Sequence, residues 1–170
     1  MNPLKNHKIL VSAAEQLVKK FGNTFQVYIV GKGACEKELL EQIYETKTTN
    51  VVKLLGFRSD IVDLCNSSHA FVLPSEYEGF PISLLEAGSA GLPCLCTPVG
   101  SIPSLLNEEN GFLIEKESFG ETMEFVLENH EEAKIRGKRL REEIIRKYGI
   151  QSIVKKHEEL YFNLLNVKRA

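Results

Sequence analysis

Between residues 25 and 114 the chain alternates short apolar runs with segments of helical periodicity, and few folds tolerate that rhythm. The runs are Phe25–Val30, Val51–Leu55, Ala70–Leu73, Cys94–Thr97 and Gly111–Ile114, read as five strands. Helices are expected over His7–Lys20, Glu36–Thr46, Asp60–Asn66 and Pro81–Ala90. Strands separated by helices imply parallel pairing, because a parallel neighbour needs a crossover connection, and such crossovers are right-handed. The expected fold is therefore α/β, a doubly wound parallel sheet of Rossmann type. Residues Phe119–Leu165 are charged and helical in pattern and form a helical C-terminal segment. At 170 residues, 43% hydrophobic and with no repeat or linker, the chain is expected to form one domain over 1–170.

In open α/β sheets ligands bind outside the carboxyl ends of the strands. Gly31-Lys32-Gly33, Gly56-Phe57-Arg58, Ser75–Gly79 and Pro98-Val99-Gly100 each follow a strand, so all converge on that edge. Gly31-Lys32-Gly33 alone is a weak signal and reads first as a tight turn. A dinucleotide fingerprint needs a third glycine where this chain has Glu36, which disfavours a hydride-transferring enzyme.

The densest segment of the edge is Ser75–Ala87. Pro81 suits the first position of a helix that begins near Phe80 or Pro81 and closes at Gly91 and Pro93. The free N–H groups of its first turn attract phosphate, and Gly79 lets a ligand approach the backbone. Glu78 and Glu86 lie eight positions apart, about 12 Å at helical rise, the reach from a ribose across a diphosphate to the sugar it carries. Glu86 suits the ribose and Glu78 the sugar, since a carboxylate accepts two hydrogen bonds and matches a vicinal diol. By spacing alone the same pair reads equally well as two solvated glutamates.

Composition removes other classes. A net charge of −2 opposes nucleic acid or an anionic membrane as the main partner. No apolar stretch reaches the ~18 residues of a spanning helix, and Met1–Lys8 is too polar for a signal peptide, so a cytoplasmic location is expected. Cys35, Cys65, Cys94 and Cys96 form no C-x-x-C pair, which argues for reduced thiols and against zinc, and Cys94 and Cys96 are expected on one strand face. Ser83 lacks a nucleophile-elbow context and His69, His130 and His157 are scattered, so no hydrolase triad is supported.

Glu78-Gly79-Phe80 through Glu86-Ala87, with Gly91-Leu92-Pro93 and Thr97-Pro98-Val99-Gly100 after it, resembles the E-x7-E region of the retaining, group 1 glycosyltransferases of the GT-B fold. The likeness extends through Asn110–Ile114 and upstream to Gly31-Lys32-Gly33 and Val52–Phe57, so the whole chain resembles the C-terminal, donor-binding half of such an enzyme. It implies a nucleoside-diphosphate sugar as donor, no metal or other cofactor, and transfer to an acceptor in polysaccharide or glycolipid synthesis. Glu78 becomes the sugar-facing, catalytic carboxylate. The donor site implied comprises Lys5, Gly31, Gly33, Leu55, Gly56, Phe57, Glu78, Gly79, Phe80, Pro81, Ile82 and Glu86, with Lys5 on the phosphates and Leu55–Phe57 at the base. Packing of Phe57 into the core stays open beside that role. Ala34 stands where the family usually has proline after Gly33.

The family's partner arginine, its first strand and its N-terminal acceptor domain would fall before Met1. The resemblance thus implies a chain inactive alone, whose absent domain could associate peripherally with the inner face of a membrane. Gln151–Leu165 resembles the terminal helix that packs back across the cleft. Alternatives within the resemblance are a sugar epimerase or phosphorylase with the same half-fold, or the donor-binding subunit of a two-chain glycosyltransferase.

Overall fold

The computed structural model describes residues 1–167; the last three positions of the expected 1–170 span lie outside it. The elements follow the order α1 (Lys8–Phe21), β1 (Val27–Val30), α2 (Glu36–Glu45), β2 (Val52–Gly56), α3 (Ile61–Ser67), β3 (Phe71–Leu73) and α4 (Ile82–Ser89). They continue with β4 (Cys94–Cys96), α5 (Ile102–Leu105), β5 (Phe112–Leu113), α6 (Phe119–Glu128), α7 (His130–Tyr148) and α8 (Ile150–Val167). Short 3-10 turns occupy Pro3–Lys5 and Lys116–Ser118.

Every strand pairing is parallel, and helices cover both faces, as the alternation requires. Strand β4 shows the two faces within three residues. Leu95 enters a core with Leu10, Ala14 and Leu17 of α1, Leu39 and Ile43 of α2, and Phe119 and Met123 of α6. Cys94 and Cys96 point the other way, into a core with Leu84 and Ala87 of α4, Ile102 and Leu105 of α5, and Leu140 and Ile144 of α7. The period-2 alternation of a strand explains this division.

The structure departs from a single continuous sheet. Among the described residues β1 pairs with β2, and β3, β4 and β5 form a second ladder in that order. One core nevertheless spans both ladders, taking Ile29 and Val52 from the first and Leu95 and Phe112 from the second. At the carboxyl edge the N-terminal turn connects the two. The Met1 ammonium donates to the Lys32 carbonyl, Cys35 N–H donates to the Met1 carbonyl at 3.3 Å, and Glu76 N–H donates to the Leu4 carbonyl at 2.7 Å.

The helical C-terminal segment breaks into three helices at Asn129 and Gly149. In α7 the buried residues Ala133, Gly137, Leu140 and Ile144 form one stripe. A Cβ at Gly137 would sit 2.7 Å from the Leu92 carbonyl carbon and 2.8 Å from Pro93 N, so glycine is required for α7 to lie this close to the entry of β4. Arginines of α7 hold the neighbouring loops through carbonyls: Arg139 Nη1 donates to Glu109 at 3.2 Å and Arg141 Nη1 to Ser89 at 2.6 Å. Helix α8 leaves Ile150, Val154, Leu160, Tyr161, Phe162, Leu164 and Leu165 exposed. No described helix is long and apolar enough to cross a membrane.

Candidate functional site

The glycine-bearing loops lie at the carboxyl edge, and backbone hydrogen bonds join them there in two pairs. Gly31 N–H donates to the Gly56 carbonyl at 2.7 Å, and Ser101 N–H donates to the Gly79 carbonyl at 3.3 Å. Gly31 and Gly56 carry φ of +115° and +66°, values that favour glycine. At Gly33 the constraint is proximity, since a Cβ there would lie 2.6 Å from the Met1 carbonyl carbon.

Helix α4 starts without a side-chain cap. Pro81 is its N-cap rather than its first helical residue, with φ −77° and ψ 99°. Leu84 and Leu85 N–H groups bond to the Pro81 carbonyl at 3.1 and 3.4 Å, whereas the N–H groups of Ile82 and Ser83 precede any possible intrahelical partner. These two amides are the donors available to an anion. A Cβ at Gly79 would meet nothing within 4 Å, so the space in front of this turn is open.

The two glutamates differ sharply. Glu78 is 7% exposed, and its carboxylate receives Lys5 Nζ at 2.7 Å and Ser75 Oγ at 2.6 Å, both on Oε1. Lys5 and Glu78 are 73 positions apart in sequence, and the turn Pro3–Lys5 brings them together. Beside them Glu76 accepts from Lys116 Nζ at 2.8 Å and Asn6 Nδ2 at 3.4 Å, which fixes that turn to the loop after β3. Glu86 is exposed on α4 and faces α3, where the Cys65 thiol is pushed up by burial and, secondarily, by the Glu86 carboxylate.

Phe57 does not pack into the core: it is 74% exposed beyond β2. That removes the packing alternative and leaves an aromatic face available to a planar group. Leu55 is half-buried, Phe80 and Ile82 are exposed, and Pro81 is buried. Phe80 also stacks obliquely on Tyr148 of α7, with ring centroids 5.6 Å apart. Lys5, Glu78, Gly79, Phe80, Pro81 and Ile82 thus form one cluster, Gly31, Gly33, Gly56 and Phe57 a second beside it, and Glu86 stands one helical turn further along α4.

Sequence reasoning missed the support beneath Glu78. Ser75 is fully buried, and its carbonyl accepts from Thr97 Oγ1. Gly100, at φ +56°, would place a Cβ 2.8 Å from the Glu78 carbonyl carbon and nearer still to its oxygen. The Thr97–Ser101 turn after β4 therefore presses on the backbone that carries Glu78. A serine three positions before a buried glutamate was the one available signal.

No group of three or more His, Cys, Asp or Glu able to hold a metal occurs among the described residues. Cys94 and Cys96 are fully enclosed, and burial pushes both thiols far up.

One sheet edge of this parallel α/β unit thus brings together an uncapped helix start, a paired lysine and carboxylate, and an exposed aromatic. Residues 1–143 match the family described as Glycosyl transferases group 1, and the chain belongs to that family. It is 32% identical over 170 residues to the Escherichia coli UDP-Gal:alpha-D-GlcNAc-diphosphoundecaprenol alpha-1,3-galactosyltransferase, covering 96% of this chain and 43% of that protein. The crystal structure of a Staphylococcus aureus TarM variant in complex with fondaparinux, alpha-GlcNAc-glycerol and UDP superposes with a TM-score of 0.85 at 27% identity, covering 95% of this chain and 34% of that one. The C-terminal domain of a group 1 glycosyl transferase, LpcC from Francisella tularensis, has the same fold, with a TM-score of 0.80 at 19% identity over 88% of this chain and 83% of that one. The chain thus spans less than half the length of the curated galactosyltransferase it matches. The fold is the Rossmann-like α/β arrangement of GT-B enzymes.

Proposed function

We propose that this chain is the donor-binding part of a retaining glycosyltransferase that moves a sugar from a uridine diphosphate carrier to a glycan or lipid-linked acceptor. The observation that carries the reading is the Lys5–Glu78 pair at the uncapped start of α4, 2.7 Å apart and set between the open face of Gly79 and the buried Ser75. The Ile82 and Ser83 amides and Lys5 offset the diphosphate charge, most strongly as the bond to the sugar breaks and the leaving phosphate gains charge. No metal is needed for that step. Phe57 faces the base, Glu86 the ribose hydroxyls, and Glu78 the sugar.

Uridine and the acceptor class rest on relatives. The galactosyltransferase name specifies UDP-Gal and a diphosphoundecaprenol acceptor, and the TarM variant was crystallised with UDP. A lipid-linked acceptor would place the whole protein at the inner face of a membrane. Because the chain spans 43% of the length of the galactosyltransferase, the acceptor site is assigned to a separate unit, so that this chain alone binds donor weakly and transfers nothing. A two-chain transferase would use the same donor site.

The test is a thermal-shift panel of uridine, guanosine, adenosine and thymidine diphosphates and their sugars, with magnesium or a chelator. UDP and a UDP-sugar should raise the melting temperature at millimolar levels irrespective of metal. No shift with any diphosphate contradicts donor binding, and a strict magnesium requirement contradicts neutralisation by Lys5 and α4. In the whole protein, NMR of the product's anomeric proton should show retention; an inverted linkage contradicts it.

A further inference from the structure

Glu78 is gripped by one oxygen only. Lys5 Nζ and Ser75 Oγ both donate to Oε1, and no described residue donates to Oε2. Among the described residues the buried side-chain polar atoms without a partner are His7 Nδ1, Gln42 Oε1 and Ser101 Oγ. Glu78 Oε2 is not among them, so this oxygen, neither bonded nor sealed off, still reaches solvent at the carboxyl edge.

The two donors to Oε1 are unequal. The Lys5 side chain is 40% exposed, and its flexible stem lets the ammonium turn toward another anion. Ser75 cannot move in this way. It is enclosed at the end of β3, its carbonyl is held by Thr97 Oγ1, and Thr97 N–H bonds to the Leu73 carbonyl at 3.2 Å. The terminal torsion of a glutamate is broad and roughly two-fold, so an unsupported carboxylate would present either oxygen at varied angles.

We propose that Ser75 is a positioning residue that holds Oε1 and so makes Glu78 a one-atom acceptor, whose Oε2 takes a single hydroxyl of the donor sugar. The proposal rests on the nucleotide-sugar reading above and narrows it, because a carboxylate used at one oxygen does not clasp a vicinal diol. Ser75 itself touches no ligand; it acts through Glu78.

The test is a double-mutant cycle in this chain: wild type, Ser75→Ala, Glu78→Ala and the double variant, each titrated by calorimetry with UDP, UDP-galactose and UDP-N-acetylglucosamine. The quantity read is the affinity gained when the sugar is attached, the ratio of the two dissociation constants. Ser75→Ala should leave UDP affinity within about twofold and cut the sugar-dependent gain by about tenfold. The double variant should be no worse than Glu78→Ala. Ser75→Cys keeps a donor at the same place, weaker and somewhat bulkier than the hydroxyl, and should fall between wild type and Ser75→Ala, which also preserves the test if the alanine variant unfolds. An unchanged gain in Ser75→Ala and Ser75→Cys, a further loss in the double variant, or equal weakening of bare UDP overturns the positioning role. Failure of the parent reading looks different: wild type binds none of the three ligands, or Glu78→Ala retains the full gain.

Discussion

Replacing Gly100 by alanine should damage the fold and the site together, although Gly100 touches no proposed ligand. Two penalties add. Its φ of +56° is left-handed, which costs an L-residue about 1–2 kcal/mol. The new methyl would also lie 2.8 Å from the Glu78 carbonyl carbon and nearer still to its oxygen. That neighbour is backbone and cannot rotate away, so overpacking adds about 1–3 kcal/mol. For a chain of 170 residues the sum lowers the melting temperature by roughly 4–20 °C. The control is Gly79→Ala, whose Cβ meets nothing within 4 Å. It should melt within about 2 °C of wild type or slightly above, because alanine restricts the unfolded chain, yet its methyl would stand in the ligand's path and weaken UDP binding. Thermal unfolding by circular dichroism with UDP titration reads both. A Gly100→Ala protein as stable as wild type would refute the close packing of the Thr97–Ser101 turn on Glu78, and a Gly79→Ala protein with undiminished UDP affinity would refute ligand approach at that point.

Other outcomes follow from the same structure. Glu86→Ala, on an exposed position, should weaken bare UDP by about 1.5–3 kcal/mol per lost bond, while Glu78→Ala should show its cost only with a UDP-sugar; paired titrations separate them, and equal effects on both ligands contradict the assignment. His7 has a folded-state pKa lowered from 6.5 to about 4, first by burial and then by the terminal ammonium and Lys5. Its neutral form favours folding, so this stability is complete above pH 6.5 and declines as pH falls to about 4, by no more than about 2 kcal/mol at a partly exposed ring. Denaturant unfolding across that range should show the slope, and His7→Gln should flatten it. At pH 8 a soluble aromatic disulfide should modify Cys35 and Cys65, which are half-buried, and leave the fully buried Cys94 and Cys96 unmodified until the chain unfolds; four equally reactive thiols would contradict the packing of β4. Gly137→Ala should destabilise the chain by about 1–3 kcal/mol by forcing α7 off the Leu92–Pro93 backbone, and an unchanged denaturation midpoint would contradict that contact.

The parallel α/β order and helices on both faces were legible in the apolar runs, because a strand buried on both sides leaves a local signature. Strand pairing was not: whether a ladder closes between β1 and β3 depends on which backbones lie adjacent, and the sequence carries no mark of the two separate ladders. Lys5 was singled out only through resemblance. Its 2.7 Å contact with Glu78 spans 73 residues and depends on the Pro3–Lys5 turn, which a terminal lysine does not announce. Ser75 was hidden for a different reason. A serine three positions before a glutamate has the spacing of a helix capping box, yet here its hydroxyl binds the carboxylate directly and α4 begins later, at Ile82. Phe57 was undecided because an aromatic at a strand end suits the core and a ligand equally, and only its exposure distinguishes them. The helical tail was legible as helix, but its breaks depend on Asn129 and Gly149 and on the docking of α7 against β4.

On the proposed function, one edge of the sheet, built around Lys5, Glu78 and the start of α4, receives the nucleotide. The most direct measurement is amide chemical-shift mapping of the isotope-labelled chain titrated with UDP. Saturable changes are expected at Gly31, Lys32, Gly33, Gly56, Phe57, Gly79, Phe80, Ile82 and Ser83, with Lys5→Ala weakening the titration. Changes confined to the opposite edge, at Gly91, Glu109 and Gly111, or no change at millimolar UDP, would contradict it.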